Sequence, residues 1–101
     1  MPAAQPGRLV ITHNTYVEGL IPVLRRVAAC PGIQTVTPAV IGRVKGKSRS
    51  PQLSLRVSVA IQGGYKVIAR RASSFQEVFI VTTLEQEPLQ ELLHQQLKAQ
   101  K

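Results

Sequence analysis

Sulfur chemistry is nearly absent from this chain. Cys30 is the sole cysteine in 101 residues, so no intramolecular disulfide can form, and a cysteine-rich zinc site is excluded by counting. Tryptophan does not occur, and the aromatic residues are only Tyr16, Tyr65, Phe75 and Phe79. With both phenylalanines expected in the core, little remains from which to build a stacking platform for bases. No apolar run approaches the roughly 18 residues that a membrane-spanning helix needs. The opening MPAAQPG has no basic region followed by an apolar one, as a signal peptide would. A protein of a reducing, cytoplasmic compartment with no membrane contact is therefore expected. Motifs of chemistry are missing too: there is no G-x-S-x-G, phosphate loop or G-x-G-x-x-G. Cys30 is expected to close a helix rather than open one, so it lacks the dipole that activates a thiolate. These absences argue against an enzyme.

Acidic residues are scarce in a way that matters more. Thirteen Lys and Arg face five acids, for a net charge of +8. The acids are Glu18, Glu77, Glu85, Glu87 and Glu91, so nothing between Gly19 and Gln76 is acidic. That stretch holds ten cations: Arg25, Arg26, Arg43, Lys45, Lys47, Arg49, Arg56, Lys66, Arg70 and Arg71. Like charges in one stretch repel and cost folding free energy unless they spread into water or meet an anion. An anionic partner is favoured over a merely soluble surface, because clustering of one sign is what an electrostatic footprint requires. RNA or another nucleic acid and an acidic protein are the candidate partners.

What is present reads as a globular domain. Hydrophobic residues make up 44% of the chain, in short periodic blocks separated by Gly, Pro and Ser, unlike the composition of a disordered chain. Residues 1–7 are expected to form a flexible arm and 8–101 a single α+β domain. Arg8 to His13 suits a first strand, and Asn14 and Thr15 suit capping of the next helix. Leu20, Val23, Leu24, Val27 and Ala28 recur with helical spacing. Pro22 then falls in the first turn if Gly19 caps, and Cys30-Pro31-Gly32 ends the helix. Ile33 to Val44 is β-branched, but Pro38 places it at a sheet edge or bends it. Leu53, Leu55, Val57, Val59 and Ile61 alternate with small or polar residues, the signature of a half-buried strand. Gly63-Gly64 suits a tight turn into a strand from Tyr65 to Arg71. The continuous run Val78-Phe-Ile-Val81 predicts a central strand covered on both faces. Leu89, Leu92, Leu93 and Leu97 stripe a last helix with Pro88 at its first position and Glu87 as cap. The order is β-α-β-β-β-β-α, a mostly antiparallel sheet of about five strands with two helices on one face.

The sequence offers two candidate sites. The tight turn would set Arg56 opposite Arg71, or opposite Arg70 if the loop is one residue longer. Directly opposed like charges are unfavourable, so either an anion lies between them or both side chains splay into water. With Arg43, Lys45, Lys47, Arg49 and Lys66 they form the expected nucleic-acid site. Glu77 is placed to pair with Arg70 or Arg71. For a metal, the donors are His13, Cys30, His94 and five glutamates, in no familiar spacing, and a structural zinc wants four ligands close together.

His13-Asn-Thr15, Gly19-Leu-Ile-Pro-Val-Leu24, Pro31-Gly-Ile33 with Thr37-Pro38, and Phe75-Gln-Glu-Val-Phe79 give the chain a further character. In these stretches it resembles a small uncharacterised family of cyanobacteria and archaea labelled as predicted metal-binding proteins. The resemblance implies a divalent metal such as zinc, held in relatives with the help of an additional Cys-rich segment. This chain lacks that segment, and what carries over by residue is His13, with Glu77 as a second candidate. The expected function is a small basic binding module without catalytic activity, for RNA, with a metal-binding protein or an assembly protein docking on an acidic partner as the alternatives.

Overall fold

The computed structural model describes residues 7–45 and 50–99. Lys47, Arg49 and residues 1–6 of the expected arm lie outside that range. The elements are β1 (Arg8–Leu9), α1 (Leu20–Ala28), β2 (Ile33–Arg43), β3 (Ser54–Ile61), β4 (Gly64–Arg71), β5 (Ser74–Thr82) and α2 (Gln86–Lys98). The fold is α+β with the expected element order. The sheet runs β1-β2-β5-β4-β3; β1 is parallel to β2, and every other pairing is antiparallel.

α1 forms because its apolar stripe has a surface to bury on. Leu20, Val23, Leu24, Val27 and Ala28 are all buried. Fully burying each larger aliphatic side chain contributes roughly 1.5–3 kcal/mol. Gly19 caps the helix at φ 82°, and no side chain caps it, so Asn14 and Thr15 do not take the capping role expected of them. α2 begins two residues earlier than expected, with Glu85 as cap, so Pro88 is its third residue. That position is tolerated because the first-turn amides have no intrahelical acceptor anyway. Leu89 and Leu93 are fully buried and Leu92 and Leu97 partly so. α1 packs on β2, α2 packs on β3, and the two helices touch each other. Both therefore lie on one face of the sheet. Against them stand Val36, Leu55, Val57, Val67, Ala69, Val78 and Ile80, all buried.

Pro38 explains why the first strand is short. The β1 ladder continues as far as the Val10 amide, which donates to the Val36 carbonyl at 2.9 Å. The next bond would require an amide hydrogen at residue 38, and proline has none. The Thr12 hydroxyl instead donates to the Pro38 carbonyl. β1 is thus Arg8–Leu9 rather than a strand reaching His13. Pro38 is accommodated in an interior strand by bending: the register with β5 slips between Pro38 and Ile41.

Gln76 holds that irregularity. It is fully buried; its Oε1 accepts from the Val17 amide at 3.0 Å and its Nε2 donates to the Ala39 carbonyl. One side chain thereby ties the approach to α1 to the bulge in β2. Beyond the bulge, Gly42 stands opposite Phe75.

The hairpin differs from expectation by one residue. Ile61 pairs with Gly64, so Gln62 and Gly63 form the turn, with Gly63 at φ 83°. A bulge at Ser58 absorbs one residue of β3. The bulge also reverses the alternation, because an extra residue flips the rest of the strand to the other face. Val59 is consequently 50% exposed rather than part of the buried stripe. β5 is central as expected, but helices cover only one of its faces. Phe75 and Phe79, expected in the core, lie half-buried on the other.

Candidate nucleic-acid interface

The uncovered face is a lattice set by strand register. One row across four strands reads Gly42, Phe75, Arg70 and Ser54. The next reads Glu77, Ile68 and Arg56, and the third reads Thr37, Phe79, Lys66 and Val59. Arg56 therefore stands opposite Ile68, and Arg70 opposite Ser54. The expected direct Arg–Arg opposition does not occur, because the Gln62-Gly63 turn and the Ser58 bulge shift the register. The two arginines are diagonal neighbours on one face, with Cβ atoms about 7–8 Å apart. That separation lets two long guanidinium arms converge on one anion and is gentler than direct opposition.

Ser54, Arg56, Val57, Ser58, Ile68 and Arg70 line an open cleft of about 560 Å³. Two arginines and two serines are among its lining residues, donor types that match a phosphate or carboxylate. Arg56 and Arg70 are exposed, and no ion pair holds either of them among the described residues. A smaller hollow lined by Ser50, Gln52, Ser54, Arg70, Arg71 and Ala72 adjoins it.

The remaining cations divide. Lys66 shares the uncovered face and pairs with Glu77 at 3.4 Å. Glu77 thus takes Lys66 as partner, not Arg70, its other diagonal neighbour on this face, nor Arg71, whose side chain lies on the opposite face. Arg71 points the other way, as strand alternation demands. Its Nη1 donates to the Glu18 carbonyl and its Nε lies 3.9 Å from the Glu18 carboxylate. Arg26 of α1 donates from Nη2 to the Gln96 carbonyl at 2.9 Å, which links the helices. Arg25 is exposed on α1. Arg43 and Lys45 are exposed where β2 ends, leading toward Lys47 and Arg49 outside the described residues. The eight described cations of the middle stretch thus form one pair facing open solvent, with the rest spread or engaged elsewhere.

Sequence reasoning missed Phe75 and Phe79 as surface groups. The strand-face alternation from buried Gln76, Val78 and Ile80 places both on the opposite side. Apolar type alone suggested core. Gly42 could have signalled the placement: a Cβ there would come within 2.8 Å of the Phe75 ring atoms Cε1 and Cζ. The ring therefore lies over a glycine, on the backbone of β2.

Metal donors do not gather. Among the described residues, no three His, Cys, Asp or Glu side chains come together. His13 is exposed, with its backbone amide donating to the Tyr16 hydroxyl at 2.7 Å. His94 sits beside Gln90 on α2, and Glu77 is occupied by Lys66. The Cys30 thiol donates to the Arg26 carbonyl at 3.2 Å, and burial pushes its pKa up, the wrong direction for a thiolate ligand. The described donor set does not fit the four close ligands of a structural zinc. Among the described residues, no helix is long and apolar enough to cross a membrane.

A family described as "Predicted metal-binding protein (DUF2103)" matches residues 4–99. No curated protein and no solved structure matches the chain.

Proposed function

We propose that this chain, which belongs to that family of predicted metal-binding proteins, is a non-catalytic binding module for RNA. Its phosphate site is the Arg56–Arg70 cleft on the sheet face that both helices leave uncovered. Lys66, Arg43 and Lys45 extend the site, Arg71 borders it, and Lys47 and Arg49 follow Lys45 in the sequence outside the described residues. One observation carries the proposal: two exposed arginines without an acidic partner among the described residues share a cleft with two serine hydroxyls. Guanidinium groups suit phosphate because they are planar, permanently charged and able to donate twice. The net charge of +8 draws a polyanion toward the whole molecule and raises its rate of encounter.

The test is fluorescence anisotropy with labelled RNA across a salt series. Each phosphate neutralised on a single strand lowers the logarithm of affinity by about 0.7 per decade of salt. Arg56→Ala combined with Arg70→Ala should weaken binding and flatten that slope by about 1.4 if each arginine meets one phosphate. A flat salt dependence, or no binding at low salt, would end the proposal.

The family's description favours a metal instead, with His13 as the ligand that the resemblance carries over. Elemental analysis of purified protein and of His13→Ala separates the two. Stoichiometric metal lost in the variant would favour the metal, whereas unchanged metal content with RNA binding intact favours the arginine cleft.

A further inference from the structure

We infer that the RNA taken by this face is single-stranded, with bases stacked on Phe75 and Phe79 while the Arg56–Arg70 cleft holds a phosphate. The inference rests on the RNA-binding reading and specifies its ligand. Register supplies the geometry: Arg70 is the direct cross-strand neighbour of Phe75, and Arg56 is diagonal to Arg70. A base on Phe75 would therefore bring its own phosphate to the guanidinium pair. Both rings are partly exposed on the central strand. Phe75 lies over Gly42, with backbone beneath it where a side chain would otherwise stand. Thr37 and Lys66 flank Phe79 on the neighbouring strands. Glu77, between the two rings, has its charge met by Lys66, so the face as a whole stays cationic through Arg56 and Arg70.

The spacing of the rings selects the ligand. Four residues along a strand separate Phe75 from Phe79, about 13 Å. Bases in a duplex lie about 3.4 Å apart and cover one another's faces. Rings so far apart can meet only unstacked, splayed bases, which a single strand offers and a duplex does not. Apolar rings among cations also suit nucleic acid better than an acidic protein, whose carboxylates would leave the rings without a π-face to cover them.

The experiment compares a single-stranded RNA of about 12 nucleotides with the same sequence as a duplex, against wild type, Phe75→Leu, Phe79→Leu and Phe79→Tyr. Wild type should hold the single strand at least tenfold more tightly. Each Leu variant should weaken single-strand binding roughly 5- to 150-fold, leave duplex binding unchanged, and melt near wild type. Phe79→Tyr should retain affinity, because it keeps the ring. If single strand and duplex bind alike and the Leu variants change neither, the stacking inference falls while the phosphate reading stands. If neither RNA binds at low salt, both fall. If light scattering shows a dimer that Phe79→Leu dissociates, and no RNA binds, the face belongs to a second copy of the chain and both are overturned. Should a Leu variant fail to fold, the wild-type preference and the Tyr variant still decide.

Discussion

Replacing Gln76 by alanine should cost more stability than any surface substitution in this protein. Gln76 is fully buried and makes two hydrogen bonds to backbone groups far away in sequence. Truncation leaves the Val17 amide without its acceptor and the Ala39 carbonyl without its donor, each costing about 1–3 kcal/mol. A small cavity adds to the loss, because Val17 and the cross-strand partner Ala69 are buried and relax only in part. The expected total is about 2–6 kcal/mol from the two orphaned groups with the cavity in addition, a large share of the roughly 5–15 kcal/mol that holds a domain folded. Urea denaturation followed by circular dichroism measures it directly, and the melting temperature should fall by at least about 10 °C. Gln76→Leu sharpens the test, since it fills similar space without bonding either partner. If Gln76→Leu is as stable as wild type, the polar bridge is unimportant and it does not hold the β2 bulge. A further consequence is functional. The bulge sets Gly42 opposite Phe75, so surviving Gln76 variants should also bind RNA less well.

Three other outcomes are expected. The Gln90 side chain accepts from the Val57 amide at 2.7 Å and donates to the Leu55 carbonyl at 2.8 Å, occupying the open edge of β3. Gln90→Leu should therefore speed hydrogen exchange at Val57 and lower stability by about 1 kcal/mol, and unchanged exchange there would refute the edge-guarding role. Glu77→Gln removes an acidic group from the uncovered face and releases Lys66. RNA affinity should rise several-fold at low salt and the gain should shrink at high salt, whereas a loss of affinity would contradict the placement of the site. Burial raises the Cys30 pKa above the ordinary thiol value, so the thiolate is scarcer at neutral pH than in a free thiol. Its reaction with a disulfide reagent should be slower than that of free cysteine and should accelerate only as pH climbs past the usual thiol range; a fast reaction at pH 7 would refute this.

Much of the fold was legible because its elements obey simple periods. The α1 stripe from Leu20 to Ala28 and the α2 leucines bury as their spacing dictates, and Gly19 and Gly63 supply the positive φ their turns require. What escaped was whatever a single extra residue decides. The Ser58 bulge turned Val59 outward and, together with the Gln62-Gly63 turn, set Arg56 opposite Ile68 instead of an arginine, and no local pattern announces a bulge inside an alternating run. Likewise, the run Val78-Phe-Ile-Val81 contains four apolar residues whichever face is covered, so it could not reveal that helices lie on one side only. Pro38 was legible as a disturbance, but its effect on β1 depended on knowing that its missing amide points toward that strand. The candidate site shows the same division. Charge composition pointed to an anion, and strand register determined that Arg56 and Arg70 share a face while Arg71 turns to Glu18.

The central claim is that the helix-free face of the sheet is where RNA meets this protein. Backbone amide chemical shifts, tracked by NMR during titration with a short single-stranded RNA, test it residue by residue. The largest changes should fall at Ser54, Arg56, Ile68, Arg70, Phe75 and Phe79, with the helical face near Arg25 and Leu93 unmoved. Changes concentrated on α1 and α2, with β3, β4 and β5 silent, would contradict it.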